Sequence, residues 1–265
     1  MKYDLTVLVP GIREPLWQRL YDSIDKAFRL SWEMVIIGPY KPSEELLSKE
    51  NVQYIEDWGT PIRSQQIGLT QARGEWITWA ADDGEYYPDS LDVGFAKLSD
   101  DNMDYKSLVM GKYYEGSEGK TNPGMAGNDY YRLSFHHGND FKYLPRQALM
   151  LNVGIVSKKL LYEVGGWDCQ FEVCPLSYND LAVRLQRHGV KFIVQNEMMY
   201  HCSHMPGHEG DHGPIHDGQT LHDAPLFAKM YNDESIVERI CIPLDNWKNA
   251  PEFWSRRFGE APQEV

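Results

Sequence analysis

The sequence predicts an α/β fold with a mostly parallel, doubly wound sheet, and three observations carry that expectation. Short apolar runs alternate with amphipathic stretches through the first hundred residues, the pattern of successive βαβ units. Hydrophobic residues fill 42% of the 265 positions, enough for a sizeable core. The third is the stretch Trp76-Ile77-Thr78-Trp79-Ala80-Ala81-Asp82-Asp83-Gly84. It starts in aromatic and β-branched residues that suit a buried strand and stops at two carboxylates. Gly84 lets the chain turn and Pro88 ends further pairing. Open α/β sheets bind ligands beyond the carboxyl ends of their strands. Two acids placed there suit a divalent cation, and such a cation holds a diphosphate.

Taken in order, Leu5 to Val9 is the first apolar run, closed by Pro10-Gly11. Glu14-Pro15 opens a helix with Leu16, Leu20, Ile24, Ala27 and Phe28 at helical spacing. Met34 to Ile37 is a second strand, closed by Gly38-Pro39, and Val52 to Ile55 a third, followed by Trp58-Gly59. Thr60-Pro61 caps and starts a helix whose inward face holds Ile62, Ile67 and Leu69, and Gly74 ends it. The acidic strand follows. Residues 111 to 145 are rich in Tyr, Gly, Asn and His and lack periodicity, as expected of an irregular excursion that walls a substrate. Leu149 to Ser157 is strand-like, Lys158 to Val164 a short helix ended by Gly165-Gly166, Asn179 to His188 a helix, and Val190 to Val194 a strand. Residues 1–100 are the expected donor half, 101–200 an acceptor half of the same domain, and 201–265 a His-rich loop with an irregular C-terminal extension.

Acids outnumber bases 39 to 26, for a net charge of −13. A general nucleic-acid binder carries the opposite sign. The same field repels anionic substrates unless a cation or a local basic patch compensates. Cys169, Cys174, Cys202 and Cys241 match no zinc spacing and are too few for a disulfide scaffold, so they are expected as reduced thiols. No signal-like segment and no membrane-length apolar run occurs, which predicts a soluble, cytoplasmic protein.

With these pieces in line the chain resembles an inverting family-two nucleotide-sugar glycosyltransferase of GT-A fold, most closely the spore-coat polysaccharide glycosyltransferase type. The resemblance rests on Val9-Pro10 after the first strand, Ala72, Gly74 and Glu75 before the acidic strand, and Trp76 to Asp83 with Pro88-Asp89. It continues through Gly165 to Asp168, and Asp180 with Arg184, so it covers about residues 4 to 195. It implies transfer of a sugar from a nucleoside-diphosphate donor, of the UDP-sugar kind, to an acceptor hydroxyl with Mn²⁺ or Mg²⁺ as cofactor. Gly38-Pro39-Tyr40 departs from the nucleobase-reading Asp that many relatives carry after the second strand. Arg63 stands for the basic residue of the following helix.

The expected donor residues are Pro10, Gly11, Arg13, Glu14, Arg63, Asp82 and Asp83. Asp83 is the metal ligand, and Asp82 binds the ribose or the metal through water. A metal on one or two carboxylates takes its remaining ligands from phosphate and water, and neutralises the diphosphate as it leaves. Inversion needs a carboxylate to take the acceptor proton, and the resemblance points to Asp180. A helix-dipole role in the first turn explains an acid there equally well. Trp167, Asp168 and Asn179 are the expected acceptor contacts, with a core tryptophan as the other reading of Trp167. Six of nine histidines fall between His201 and His222. The Gly and Pro residues among them predict that they do not share a helix. In relatives a histidine of this region contacts the metal, which points to His201 or His204. A separate zinc site, or a polar loop without ligands, are the alternatives.

Other function classes are a nucleotidyltransferase, which wants a Gly-rich basic loop where Gly11-Ile12-Arg13 has one Gly and one Arg. A non-catalytic nucleotide-sugar binder is another, and a metallohydrolase centred on residues 201–222 a third. The acceptor is left open among glycan, lipid-linked sugar, small metabolite and modified nucleobase.

Overall fold

The computed structural model describes residues 2–115, 141–145, 149–202 and 212–259. The chain opens with β1 (Tyr3–Pro10), a 3-10 turn at Glu14–Leu16, α1 (Trp17–Ala27), β2 (Trp32–Gly38), α2 (Glu44–Leu47) and β3 (Val52–Glu56). Then come α3 (Pro61–Gln71), β4 (Gly74–Trp79), a three-residue β5 (Gly84–Tyr86), α4 (Ser90–Asp100) and β6 (Ser107–Glu115). After the excursion follow β7 (Gly154–Ser157), α5 (Lys158–Val164), α6 (Cys174–Arg187) and β8 (Lys191–Cys202). The C-terminal part holds α7 (Gly213–Asp217), a π-turn at Gly218–Asp223, α8 (Ala224–Asn232) and a last short helix α9 (Ser255–Phe258).

Eight strands form one sheet in the order β3-β2-β1-β4-β7-β6-β8-β5. β1 pairs parallel with β2 and β4, and β2 with β3. Each of these steps is bridged by α1, α2 or α3, as a parallel connection requires. The other half differs from the expected mostly parallel sheet. β7 is antiparallel to both β4 and β6, and β5 to β8, with β6–β8 parallel. The sheet is therefore mixed. β7 runs in the direction opposite to β6.

Local chemistry explains the helix ends. The Thr60 hydroxyl accepts the Arg63 amide and Pro61 takes the first turn of α3, where its missing N–H costs nothing. Ser157 caps α5 in the same way, and Gly165 ends it in the left-handed region at φ 83°. α6 begins at Cys174, five residues ahead of the expected Asn179. Its entry is capped from a distance: the Asp223 carboxylate accepts the amides of Glu172 and Val173 at 2.9 Å each.

Helices cover both faces of the sheet. Leu20, Ile24 and Ala27 of α1 and Leu91, Phe95 and Leu98 of α4 pack on Leu5, Val7, Val9 and Trp76. On the other face, Ile62, Ile67 and Leu69 of α3 and Leu181 and Leu185 of α6 pack on Leu8, Val35 and Ile77. A third cluster joins Phe227 and Tyr231 of α8 to Leu176 and Val183 of α6. The C-terminal segment then returns to the first half: Phe253 bridges Trp58 in parallel, and the Trp254 amide donates to the Trp58 carbonyl at 2.9 Å. Among the described residues no helix is long and apolar enough to cross a membrane.

Candidate functional site

A cavity of about 590 Å³ opens at the carboxyl ends of β1, β2, β3 and β4, where the sheet order turns from β2 back across β1 to β4 and a ligand site is expected. Pro10, Gly11, Arg13, Asp82 and Asp83 all line it, so five of the seven expected donor residues meet in one place. Glu14 is half-buried in the 3-10 turn and outside the lining. Arg63 lies one layer behind the wall. It is 4% exposed, donates from Nε to Asp57 at 3.0 Å, and donates from Nη1 to the carbonyls of Trp247 and Ala250.

The two acids at the end of β4 have different surroundings. Asp82 accepts the amides of Ile12 and Arg13 at 2.6 and 2.7 Å, the Arg13 guanidinium, and the indole N–H of Trp17 at 3.4 Å. The two amides and the indole converge on Oδ2, and the guanidinium takes Oδ1. Asp82 thus fixes the loop after β1 and aims Arg13. Asp83, 2% exposed, has Arg13 Nη1 at 3.8 Å from one oxygen and the Cys202 thiol at 2.8 Å from the other. Arg19 Nη2 donates to the Asp83 carbonyl at 2.8 Å and holds its backbone.

This donor set fits a divalent cation at Asp83. Its carboxylate lines the cavity; Mn²⁺ or Mg²⁺ takes carboxylate oxygen rather than sulfur, and the Cys202 thiol, donating to one Asp83 oxygen, orients that carboxylate. Phosphate oxygens and water supply what remains. Among the described residues no group of three His, Cys, Asp or Glu side chains is poised around one point. His204 lies outside the described residues. His201 is in β8, in register with Glu85. Side chains alternate along a strand, and its neighbours Tyr200 and Cys202 are the ones that line the cavity. The position beside Asp83 therefore belongs to Cys202, one residue on from the expected histidine.

His212 and His216 do line the cavity, and His212 Nε2 sits 3.4 Å from Arg13 Nη2. They correct the expectation that these histidines do not share a helix. His212 stands at the N-cap position just before α7, without a capping hydrogen bond from its side chain, and His216 is in the last turn, while Pro214 falls in the first turn, where proline is tolerated.

The acceptor-side residues are placed elsewhere. Asp180 is fully buried and absent from the lining. Its carboxylate takes Arg184 Nε at 2.8 Å, the Tyr231 hydroxyl at 2.9 Å and Arg239 Nη1 at 3.0 Å. Burial alone would raise its pKa, but the two guanidiniums outweigh burial and hold it below the usual carboxylate range. A carboxylate so fully satisfied and so sealed cannot reach an acceptor hydroxyl, and the geometry does not bring it together with Asp83. Asp168 belongs to the same network through Arg239. Asn179 donates to the Leu149 carbonyl at 2.8 Å and is buried. Trp167 is buried with its ring edge-on to Trp79, 5.4 Å between centroids, which is the core reading of that tryptophan. Trp79, Tyr113, Met150 and Tyr178 form the wall instead.

Asp57, at the end of β3, is the other lining carboxylate that sequence reasoning passed over. Burial raises its pKa, opposed by Arg63, the Gly59 amide and Ser64. Its signal was present: an acid after an apolar run and before a Gly-Thr-Pro turn is the arrangement that singled out Asp82.

No family model matches this chain, and no curated protein matches it. Solved structures do. Over 76% of this chain, and 44% of the other, it superposes on GalNAc-T7 crystallised with UDP, GalNAc and Mn²⁺, with TM-score 0.57 and 13% identity. It superposes on residues 1–349 of S. aureus TarS over 98% of this chain and 72% of the other, with TM-score 0.56 and 15% identity. Longer TarS gives 0.54 and 16% over 91% of this chain and 42% of the other. The fold is that of GT-A glycosyltransferases. The chain spans less than half the length of GalNAc-T7.

Proposed function

We propose that this chain transfers a sugar from a nucleoside-diphosphate donor, UDP-sugar in the first instance, to an acceptor hydroxyl. The observation that carries the reading is the buried Asp83 carboxylate at the end of β4, facing a cavity with Arg13 and His212 against it. The fold it shares with glycosyltransferases, one of them crystallised with UDP, GalNAc and Mn²⁺, supports it. In a chain of net charge −13, with Asp57, Asp82 and Asp83 in the lining against Arg13 and Arg257, a diphosphate needs a bound cation to offset the field.

Each residue has a task in this reading. Asp82 holds the loop that presents Arg13, and Arg13 donates to the phosphate oxygens as a planar fork. Asp83 would hold a divalent cation, with the Cys202 thiol orienting its carboxylate; bound there, the ion would supply Lewis-acid stabilisation of the leaving diphosphate. His212 and His216 on α7 close over the phosphates. Trp79, Tyr113 and Tyr178 offer aromatic faces to the apolar side of a sugar ring. Inversion, which the family resemblance implies, is the proposed stereochemical course. Its proton acceptor is not Asp180, and the proposal assigns none among the described residues.

A thermal-shift screen of nucleoside diphosphates and their sugars with Mn²⁺ tests this, since a ligand of the folded state raises the Tm. At least one nucleoside diphosphate should raise it, and Asp83→Asn should remove the Mn²⁺-dependent part of the shift. No shift with any nucleoside diphosphate would retire the reading.

A further inference from the structure

The cavity has two chemically distinct ends. Asp82, Asp83, Arg13 and His212 gather beneath the end of β4. On the far side of β1, beneath β2 and β3, the lining residues include Gly38, Pro39, Gly59 and Phe258 with one acid, Asp57, and one base, Arg257. From β4 to β3 is three strand spacings, about 14 Å, the span of an extended nucleoside diphosphate. With the phosphates at the charged end, the base falls at the other.

Backbone packing makes that end a slot. A Cβ on Gly38 would lie 1.8 Å from the Gly11 carbonyl oxygen, so the loops after β1 and β2 touch without side chains between them. The opposite wall comes from the C-terminal segment. Phe258 lines the cavity and packs edge-on to Trp58 at 5.0 Å, Trp58 meets Tyr40 at 6.3 Å, and the Trp58–Phe253 bridge fixes the segment in place. Glu172 steadies it further by accepting from the Trp254 indole at 3.3 Å and pairing with Arg256 at 3.4 Å.

Asp57 arrives at this slot partly satisfied. Arg63 Nε takes one oxygen, and the Gly59 amide and Ser64 hydroxyl take the other, at 3.0, 3.0 and 3.3 Å. A carboxylate has about four acceptor sites, so these donors leave one, on the oxygen that Arg63 takes, and Asp57 lines the cavity. Arg257 contributes only donors.

Resting on the donor reading above, we infer that the C-terminal segment selects the nucleobase: Arg257 donates to a ring carbonyl while Asp57 accepts the neighbouring ring N–H, with Phe258 covering the ring. That pattern fits a base with an N–H beside a C=O, as uracil and guanine have. It rejects adenine, which has no carbonyl, and cytosine, whose ring nitrogen beside the carbonyl is an acceptor. Arg257 is then a specificity-determining residue and Phe258 a base-covering one, both outside the stretch that carries the family resemblance.

Calorimetric binding of UDP, GDP, CDP and ADP in Mn²⁺ tests this on wild type, Arg257→Ala, Arg257→Lys and Phe258→Ala, with circular dichroism reporting folding. Wild type should bind UDP or GDP about tenfold or more tighter than CDP and ADP, the margin a charged hydrogen bond supplies. Arg257→Ala should collapse that ratio, and Arg257→Lys should restore part of it. Phe258→Ala should weaken all four together. Equal binding of the four by wild type, or an unchanged ratio in Arg257→Ala, overturns the inference and leaves the donor reading standing. Binding of none overturns both.

Discussion

Two buried aspartates show how surroundings decide what a carboxylate does. Asp83 and Asp180 each lie within 2% of complete burial, yet only Asp83 faces a cavity. Asp180 is closed in by Arg184, Arg239 and Tyr231. Removing one partner of a buried ion pair leaves the other charge uncompensated, at a cost of about 3–5 kcal/mol. Asp180→Asn should therefore lower stability by that order in urea denaturation, while the folded fraction keeps its nucleotide affinity. A variant of unaltered stability that binds nucleotide but has lost turnover would return Asp180 to the acceptor-base role. The i, i+4 spacing of Asp180 and Arg184 was visible in the sequence, and it marks a helical ion pair as readily as a catalytic acid. Nothing in the sequence placed Arg239 beside them.

At the scale of elements, the first half was readable because its pieces are locally determined. β1 to β4 and α3 fall within one to three residues of their expected bounds, fixed by Pro, Gly and Thr at the ends. The second half was not. β8 runs twelve residues to Cys202 although Gln195, Asn196 and Glu197 interrupt its apolar pattern: β6 pairs with it up to Val194, the register shifts, and β6 and β5 pair with it again from Met199 and Tyr200 onward. Stopping that strand at Val194 hid the alternation that puts Cys202, and not His201, beside Asp83. α6 likewise starts early because Asp223, fifty residues away, caps its entry. Burial raises the Asp223 pKa from 3.8 to about 6, against the opposing pull of the Glu172 and Val173 amides and His222. A carboxyl raised by folding binds its proton more tightly in the native state, so its contribution is full below pH 4 and is lost as pH rises toward 6. The gap corresponds to roughly 3 kcal/mol. Wild type should lose Tm relative to Asp223→Asn between pH 4 and 6.5. Parallel curves for the two would place the titration elsewhere.

For the whole molecule, the joint between the first and last elements matters most. Arg63 ties Asp57, just after β3, to the carbonyls of Trp247 and Ala250, with its guanidinium 5.2 Å from the Trp247 ring. Arg63→Ala should release residues 247–258 to limited proteolysis while cleavage elsewhere stays slow. Uniform resistance would show that the Trp58–Phe253 bridge and its aromatic neighbours hold the segment unaided. That bridge joins positions 58 and 253, and its span has a consequence in time. A chain emerges from the ribosome N-terminus first. The strands carrying Asp82 and Asp83 are out and able to pair long before Trp254 and Phe258 exist to cover the slot beneath β2 and β3. On the proposed donor reading, Arg13, Asp82 and Asp83 are then in place before Cys202, His212 or the residues that would cover the ring. Nucleotide bound at the finished slot would act as the clasp that fastens the latest-made segment to the earliest.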